Sequence, residues 1–154
     1  MDVTPTRCTL CPRKCRADRT KRAGFCGAPG TLRVARAALH HWEEPCISGT
    51  NGSGTIFFSG CPLRCCYCQN YAISAEGLGK NITTERLAEI FLELQAQGAH
   101  NINLVTAAPY VPWIIEARKI AGTALHVPFV YNTSGYESAD TIRMLSDVVD
   151  VWLA

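Results

Sequence analysis

The chain changes character near residue 50. Beyond that point short apolar runs alternate with stripes of helical period. Thr55-Ile56-Phe57-Phe58-Ser59 is β-branched and aromatic and is closed by Gly60, the pattern of a buried strand. Leu87, Ile90, Phe91 and Leu94 then recur at helical spacing, with Thr83 or Thr84 as cap, Glu85 in the first turn and Gly98 as stop. Asn101-Ile102-Asn103-Leu104-Val105-Thr106 predicts a second strand. A helix from about Pro112, a residue suited to a first turn, carries Ile114, Ile115 and Ile120. Pro128-Phe129-Val130-Tyr131-Asn132 predicts a third strand, and Ser138 caps a third helix with Ile142, Leu145 and Val149. Val149-Asp150-Val151-Trp152-Leu153-Ala154 predicts a fourth. Strand and helix in strict alternation predict an α/β fold with about four parallel strands and helical crossovers. The last run would leave an unpaired apolar edge, so the expectation is a C-terminally truncated chain, a split gene or a partial reading frame.

The first fifty residues follow no such period. Residues 1–30 hold four cysteines, a dense basic run and the close Cys26-Gly27-Ala28-Pro29-Gly30. An apolar stretch from Leu32 to Trp42 follows, then Glu43-Glu44-Pro45-Cys46 and the turn-rich Gly49-Thr50-Asn51-Gly52-Ser53-Gly54. The expected organisation is a Cys-rich N-terminal extension over 1–50 and a β/α region over 51–154.

Composition narrows the classes. In 154 residues, 47% are hydrophobic, enough for a core, and the net charge of +2 does not suggest a nucleic-acid binder. The charge is uneven: residues 1–45 carry nine Lys/Arg against four Asp/Glu. The N-terminus lacks the apolar centre of a signal peptide, and no apolar run approaches the roughly 20 residues of a membrane span. Nine cysteines without an export signal point to thiolate ligands in a reducing cytosol, hence to a cytoplasmic protein.

The sharpest local signal is Gly60-Cys61-Pro62-Leu63-Arg64-Cys65-Cys66-Tyr67-Cys68-Gln69-Asn70. Cys61, Cys65 and Cys68 have the spacing C-x3-C-x2-C directly after the first strand of the array. Three thiolates on so short a loop can hold three irons of a cubane cluster. No fourth cysteine is fixed by the spacing, so one iron can stay open to a ligand. Zinc sites more often use two C-x2-4-C pairs or Cys/His mixtures, and a strand's C-terminal end is where parallel β/α folds place chemistry.

Cys61, Cys65, Tyr67 and Cys68, as C-x3-C-x-aromatic-C after a first strand, resemble the radical S-adenosylmethionine superfamily. From residue 34 to about 151 the chain resembles its pyruvate formate-lyase activating enzyme-related branch, the PflX-like iron–sulfur proteins. The residues that carry this are Ala37-Ala38-Leu39-His40, Glu43-Glu44-Pro45-Cys46-Ile47-Ser48-Gly49, Gly52-Ser53-Gly54-Thr55, Cys68-Gln69-Asn70-Tyr71 and Tyr131-Asn132-Thr133-Ser134-Gly135-Tyr136. The N-terminal Cys8-x2-Cys11-Pro12-Arg13-x-Cys15 and Gly24-Phe25-Cys26-Gly27 are similar to the same branch.

The resemblance implies a partial radical-SAM (β/α) barrel behind the Cys-rich extension. It implies a [4Fe–4S] cluster on Cys61, Cys65 and Cys68 whose open iron binds S-adenosylmethionine. An electron, from a donor such as flavodoxin or ferredoxin, then yields a 5′-deoxyadenosyl radical that abstracts hydrogen from a substrate, which can be a protein. Tyr67 would pack near the adenine, and Cys66 is read as a bystander. Asn132 and Ser134 are candidate cofactor or substrate contacts, against a plain helix-entry turn. The chain departs from the family at Thr106-Ala107-Ala108-Pro109, where polar cofactor contacts are expected. An Asp-x-Lys pair and two further strands would follow Ala154.

Cys8, Cys11, Cys15 and Cys26 lie among Arg13, Lys14 and Arg16 and suit a second metal site, either a tetrahedral zinc or an auxiliary iron–sulfur cluster. Cys46 is a substitute ligand, and His40 and His41 are read as structural. Three functions follow: a radical enzyme, a catalytically incomplete iron–sulfur or zinc-binding fragment, and a small electron carrier, the last leaving the β/α units without a role.

Overall fold

The computed structural model describes residues 3–154. Six strands, β1 (Leu32–His40), β2 (Ser53–Phe58), β3 (Lys80–Ile82), β4 (Ile102–Val105), β5 (Phe129–Asn132) and β6 (Val151–Leu153), form one sheet. Their order is β3-β1-β2-β4-β5-β6. β2, β4, β5 and β6 pair in parallel, with Ile56 opposite Leu104, Leu104 opposite Tyr131, and Tyr131 opposite Trp152. β1 is antiparallel to both β2 and β3. The expected array of about four parallel strands is therefore corrected to a mixed, open sheet of six, with β1 inserted beside β2.

Five α-helices accompany the sheet: α1 (Pro45–Ser48), α2 (Tyr71–Ser74), α3 (Thr84–Ala96), α4 (Val111–Ala121) and α5 (Ala139–Leu145). The locally coded starts form as read. Thr83 Oγ1 accepts from the backbone N–H of Arg86 at 3.1 Å, and Ser138 Oγ accepts from that of Thr141 at 3.3 Å. Pro112 falls in the first turn of α4, after a 3-10 turn over Ala108–Tyr110. None of the helices among the described residues is long and apolar enough to cross a membrane.

Helices α3 and α4 cover one face of the sheet. Leu87, Phe91, Leu94, Val111 and Ile114 pack there with Ile56, Phe58, Ile102, Leu104 and Phe129. Phe91 meets Phe129 edge-on, with ring centroids 5.0 Å apart. Each such fully buried apolar side chain contributes about 1.5–3 kcal/mol. The other face of the central strands is mixed: Thr55, Asn103 and Val130 share one register row. Asn103 is fully buried, and among the described residues neither of its amide atoms has a hydrogen-bond partner.

Strand β1 was legible only as a transitional apolar stretch. Its alternation is brief, with Leu32 and Val34 buried, and a bulge breaks the register between Val34 and Arg36. What makes it a strand is pairing with β2 from Val34↔Phe58 to His40↔Ser53, a partner almost twenty residues away. The sheet thus draws in residues from the first fifty.

The segment before β1, residues 3–31, has no helix or strand and is held by turns. Cys8 and Ala17 are joined by a backbone bond of 3.0 Å, and Arg16 N–H returns to the Cys8 carbonyl at 3.0 Å. Its far side docks on the start of α5, where Ser138 N–H and Thr141 Oγ1 both donate to the Leu10 carbonyl. Arg19 fixes its near side. This guanidinium is only 2% exposed, donates to the carbonyls of Pro29 and Pro109, and stacks 4.8 Å from the Trp113 ring.

Candidate functional site

A cavity opens at the C-terminal ends of β2, β4 and β5. Val105 and Asn132, the last residues of β4 and β5, stand opposite one another in register and both line it. The loop after β2 supplies Cys61, Cys65 and Cys68 to the same wall. Chain geometry produces this convergence. Gly60 (φ +88°) turns the chain out of β2, and Arg64 (φ +57°) curls the loop so that its cysteines face one way. A Cβ on Gly60 would lie 2.7 Å from the Cys26 carbonyl oxygen, so only glycine admits the N-terminal segment at this corner.

All three thiols of the triplet are half-buried, whereas Cys66 is exposed. Ser74, in α2, donates its hydroxyl to Cys68 Sγ at 3.4 Å and fixes the position of that sulfur. Asn132 and Ser134, the candidate cofactor contacts, line the cavity. Tyr67 does not line it and is 87% exposed. Thr106, where polar family contacts were sought, sits at the cavity edge in the left-handed region (φ +60°), a costly conformation for a β-branched residue.

Glu137 was not singled out by sequence and is, among the described residues, the one carboxylate lining this cavity. Thr133 Oγ1 donates to one of its oxygens at 2.6 Å and the Tyr131 hydroxyl to the other at 3.3 Å. Burial, and then the neighbouring Glu137 charge, push the Tyr131 phenol well above its ordinary range, so it remains a donor to Glu137. No periodicity marks Glu137; only its place just after the Tyr131-Asn132-Thr133-Ser134-Gly135-Tyr136 block hints at it.

A second cavity lies beside the first. Cys8, Cys11, Cys15 and Cys26 all line it, with Arg13 and Phe25. Pro62 and Ala108 line both cavities. The Arg13 guanidinium lies 3.8 Å from the Phe25 ring and donates to the Pro62 carbonyl at 2.7 Å; Cys61 N–H donates to the Cys26 carbonyl at 3.0 Å. Desolvation raises the Cys11 and Cys26 thiols above the ordinary range; at Cys15 the opposing backbone hydrogen bonds win and lower it.

Cys46 does not join this group. It lines a separate cavity with His100, Asn101 and Val151, at the N-terminal end of the parallel strands, which corrects its reading as a substitute ligand. His40 closes β1 opposite Ser53, in keeping with a structural role.

Thiolates are soft ligands suited to iron–sulfur clusters and zinc. Among the described residues no three His, Cys, Asp or Glu side chains converge as one ion would require. Three thiolates spread along one wall instead suit a cubane, in which each binds a different iron. No fourth cysteine lines that cavity, so the donor set fits a cluster with one iron open.

Comparison with known proteins places this arrangement. The uncharacterized protein MJ0674 of Methanocaldococcus jannaschii is 27% identical over 153 residues, which cover 95% of this chain and 44% of that protein. The chain thus spans less than half the length of this relative. No solved structure matches. The Radical SAM superfamily pattern matches residues 55–154, from the strand before the triplet to the last residue. Since that match takes in well over half of the sequence, the chain belongs to the radical S-adenosylmethionine superfamily.

Proposed function

We propose that Cys61, Cys65 and Cys68 hold a [4Fe–4S] cluster whose fourth iron receives S-adenosylmethionine, in an enzyme of the activating-enzyme type. One observation carries the reading: these three cysteines, at C-x3-C-x2-C spacing, line one cavity at the C-terminal ends of three parallel strands. Superfamily membership supports an iron–sulfur enzyme that cleaves this cofactor. Held by Cys61, Cys65 and Cys68, the cluster with its cofactor would supply one-electron reductive chemistry for hydrogen abstraction from a substrate.

The residues around the cavity bind and orient. Ser74 positions the Cys68 sulfur. Asn132 and Ser134 offer hydrogen bonds to the cofactor's polar groups. Glu137, fixed by Tyr131 and Thr133, offers its negative charge to the cofactor's cationic ammonium and sulfonium groups, a role that the apolar Ala107 and Ala108 cannot fill. The electron comes from a small carrier such as a flavodoxin or ferredoxin, and the substrate class that the branch resemblance favours is a protein. Because this chain spans 44% of its relative, the activity of a longer protein is part of the proposal. A second reading, an incomplete metal-binding fragment, draws on the buried, apolar Ala107-Ala108-Pro109 at the end of β4.

Anaerobic reconstitution with iron and sulfide, then EPR of the reduced protein with and without S-adenosylmethionine, tests the proposal. A cubane signal that shifts with the cofactor and disappears in Cys61→Ala is expected. A reconstituted protein whose spectrum ignores the cofactor would overturn the enzyme reading in favour of the fragment.

A further inference from the structure

We infer that Cys8, Cys11, Cys15 and Cys26 form a second, closed iron–sulfur site, seated against the triplet loop and divided from its cavity by Pro62 and Ala108. Three observations carry this. All four cysteines line one cavity although they come from a segment without helix or strand, and left-handed Lys14 (φ 42°) and Arg16 (φ 53°) turn the chain on either side of Cys15. Such strain in non-glycine residues persists where the surroundings impose it.

Gly24 is the second observation. A Cβ there would lie 3.4 Å from Cys26 Sγ and 3.6 Å from Cys15 Sγ, so the missing side chain leaves room between two sulfurs. The third is the spread of the thiols. They line one cavity, and among the described residues no three of them converge as a single ion would require, so the arrangement fits four irons with one thiolate each better than one tetrahedral zinc. Four thiolates leave no iron open, which makes the site closed where the triplet site is open. Charge complements the assignment: Arg13 reaches across to Pro62, and Arg19 is buried in the same segment.

The two sites touch through the chain. The Cys26 carbonyl accepts the Cys61 N–H, so the last ligand of one site anchors the first ligand of the other.

The test uses the full chain, purified and reconstituted without oxygen, with iron, sulfide and zinc assays. About eight irons per chain are expected in the parent. The variant Cys61→Ser/Cys65→Ser/Cys68→Ser is expected to keep about four irons and four sulfides, with a reduced-cubane EPR signal unaffected by S-adenosylmethionine. This variant separates the inference from the function proposed above, because its remaining iron reports only the N-terminal site. Cys11→Ser/Cys15→Ser is expected to lose that signal, while Cys66→Ser leaves it intact. The fully reduced parent is expected to show spin–spin broadening absent from the triple variant. A folded triple variant without iron, or either protein carrying one zinc per chain in place of the second cluster, would overturn the assignment. A parent spectrum equal to the sum of two isolated clusters would overturn their adjacency.

Discussion

Among the described residues Arg19 is a buried cation with no carboxylate bonded to it, and its replacement by methionine is a severe test of how the N-terminal segment is held. Its Nε and Nη2 donate to the Pro29 carbonyl at 3.1 and 2.5 Å, its Nη1 donates to the Pro109 carbonyl, and its charge faces Trp113 and Tyr110. Methionine fills similar space but leaves two carbonyl groups without these donors, at about 1–3 kcal/mol each. Loss of the desolvated cation–π contact adds about 2 kcal/mol. Relief of the guanidinium's desolvation cost returns part of this. The expected net loss is about 3 kcal/mol, roughly a 6–12 °C fall in Tm for a domain of this size. Arg19→Lys keeps the charge but not the fork that reaches both carbonyls, and should fall between. Urea unfolding followed by circular dichroism gives the magnitude, with an unchanged m-value as the sign of an unaltered denatured state. Limited proteolysis at the basic residues 7–22 should accelerate in parallel. A loss under about 1 kcal/mol, with proteolysis unchanged, would refute the view that Arg19 pins this segment to α4.

Three further outcomes are expected. Glu137→Gln should weaken S-adenosylmethionine binding about tenfold in equilibrium titration, the attraction of one charge at close range in a solvent-open cavity, and the difference should shrink with added salt; equal affinity in both proteins would remove Glu137 from the cofactor site. Asn103→Leu should raise the melting temperature, because it removes two unpartnered buried amide atoms worth about 1–3 kcal/mol; a fall of that size would show that the amide is satisfied in solution. Tyr110 and Tyr131 have phenols raised by burial, so the stability they confer is complete below about pH 10 and declines above it, as the unfolded chain ionises first. Their tyrosinate absorbance should therefore develop only together with alkaline unfolding, and its appearance in the folded protein would contradict their burial.

Local chemistry was readable wherever a short window contained all the physics. The caps of α3 and α5, Pro112 in the first turn of α4, and the runs that became β4 and β5 depend on neighbours within a few residues. Strand β3 was not readable, because its three residues have no buried alternation and are held by β1. The C-x3-C-x2-C triplet was legible as a set of thiols on one loop for the same local reason, since its spacing lies within that loop.

The tertiary structure decided what stands next to what. Nothing in the pattern at residues 7–22 distinguishes Arg19 from its exposed basic neighbours; it is buried because its guanidinium meets Trp113 and the Pro109 carbonyl, ninety positions away. Glu137 becomes a site residue only because β5 ends beside the cysteine loop, and Cys46 is excluded because α1 lies at the opposite end of the strands. The sequence by itself determined α3, α4 and α5, the central strands and the thiol-bearing loops, whose causes are propensity, capping and spacing. The six-strand order, the wall of Pro62 and Ala108 between two cysteine cavities, and the carboxylate facing one of them arise from pairing and packing between distant segments, which no local window contains.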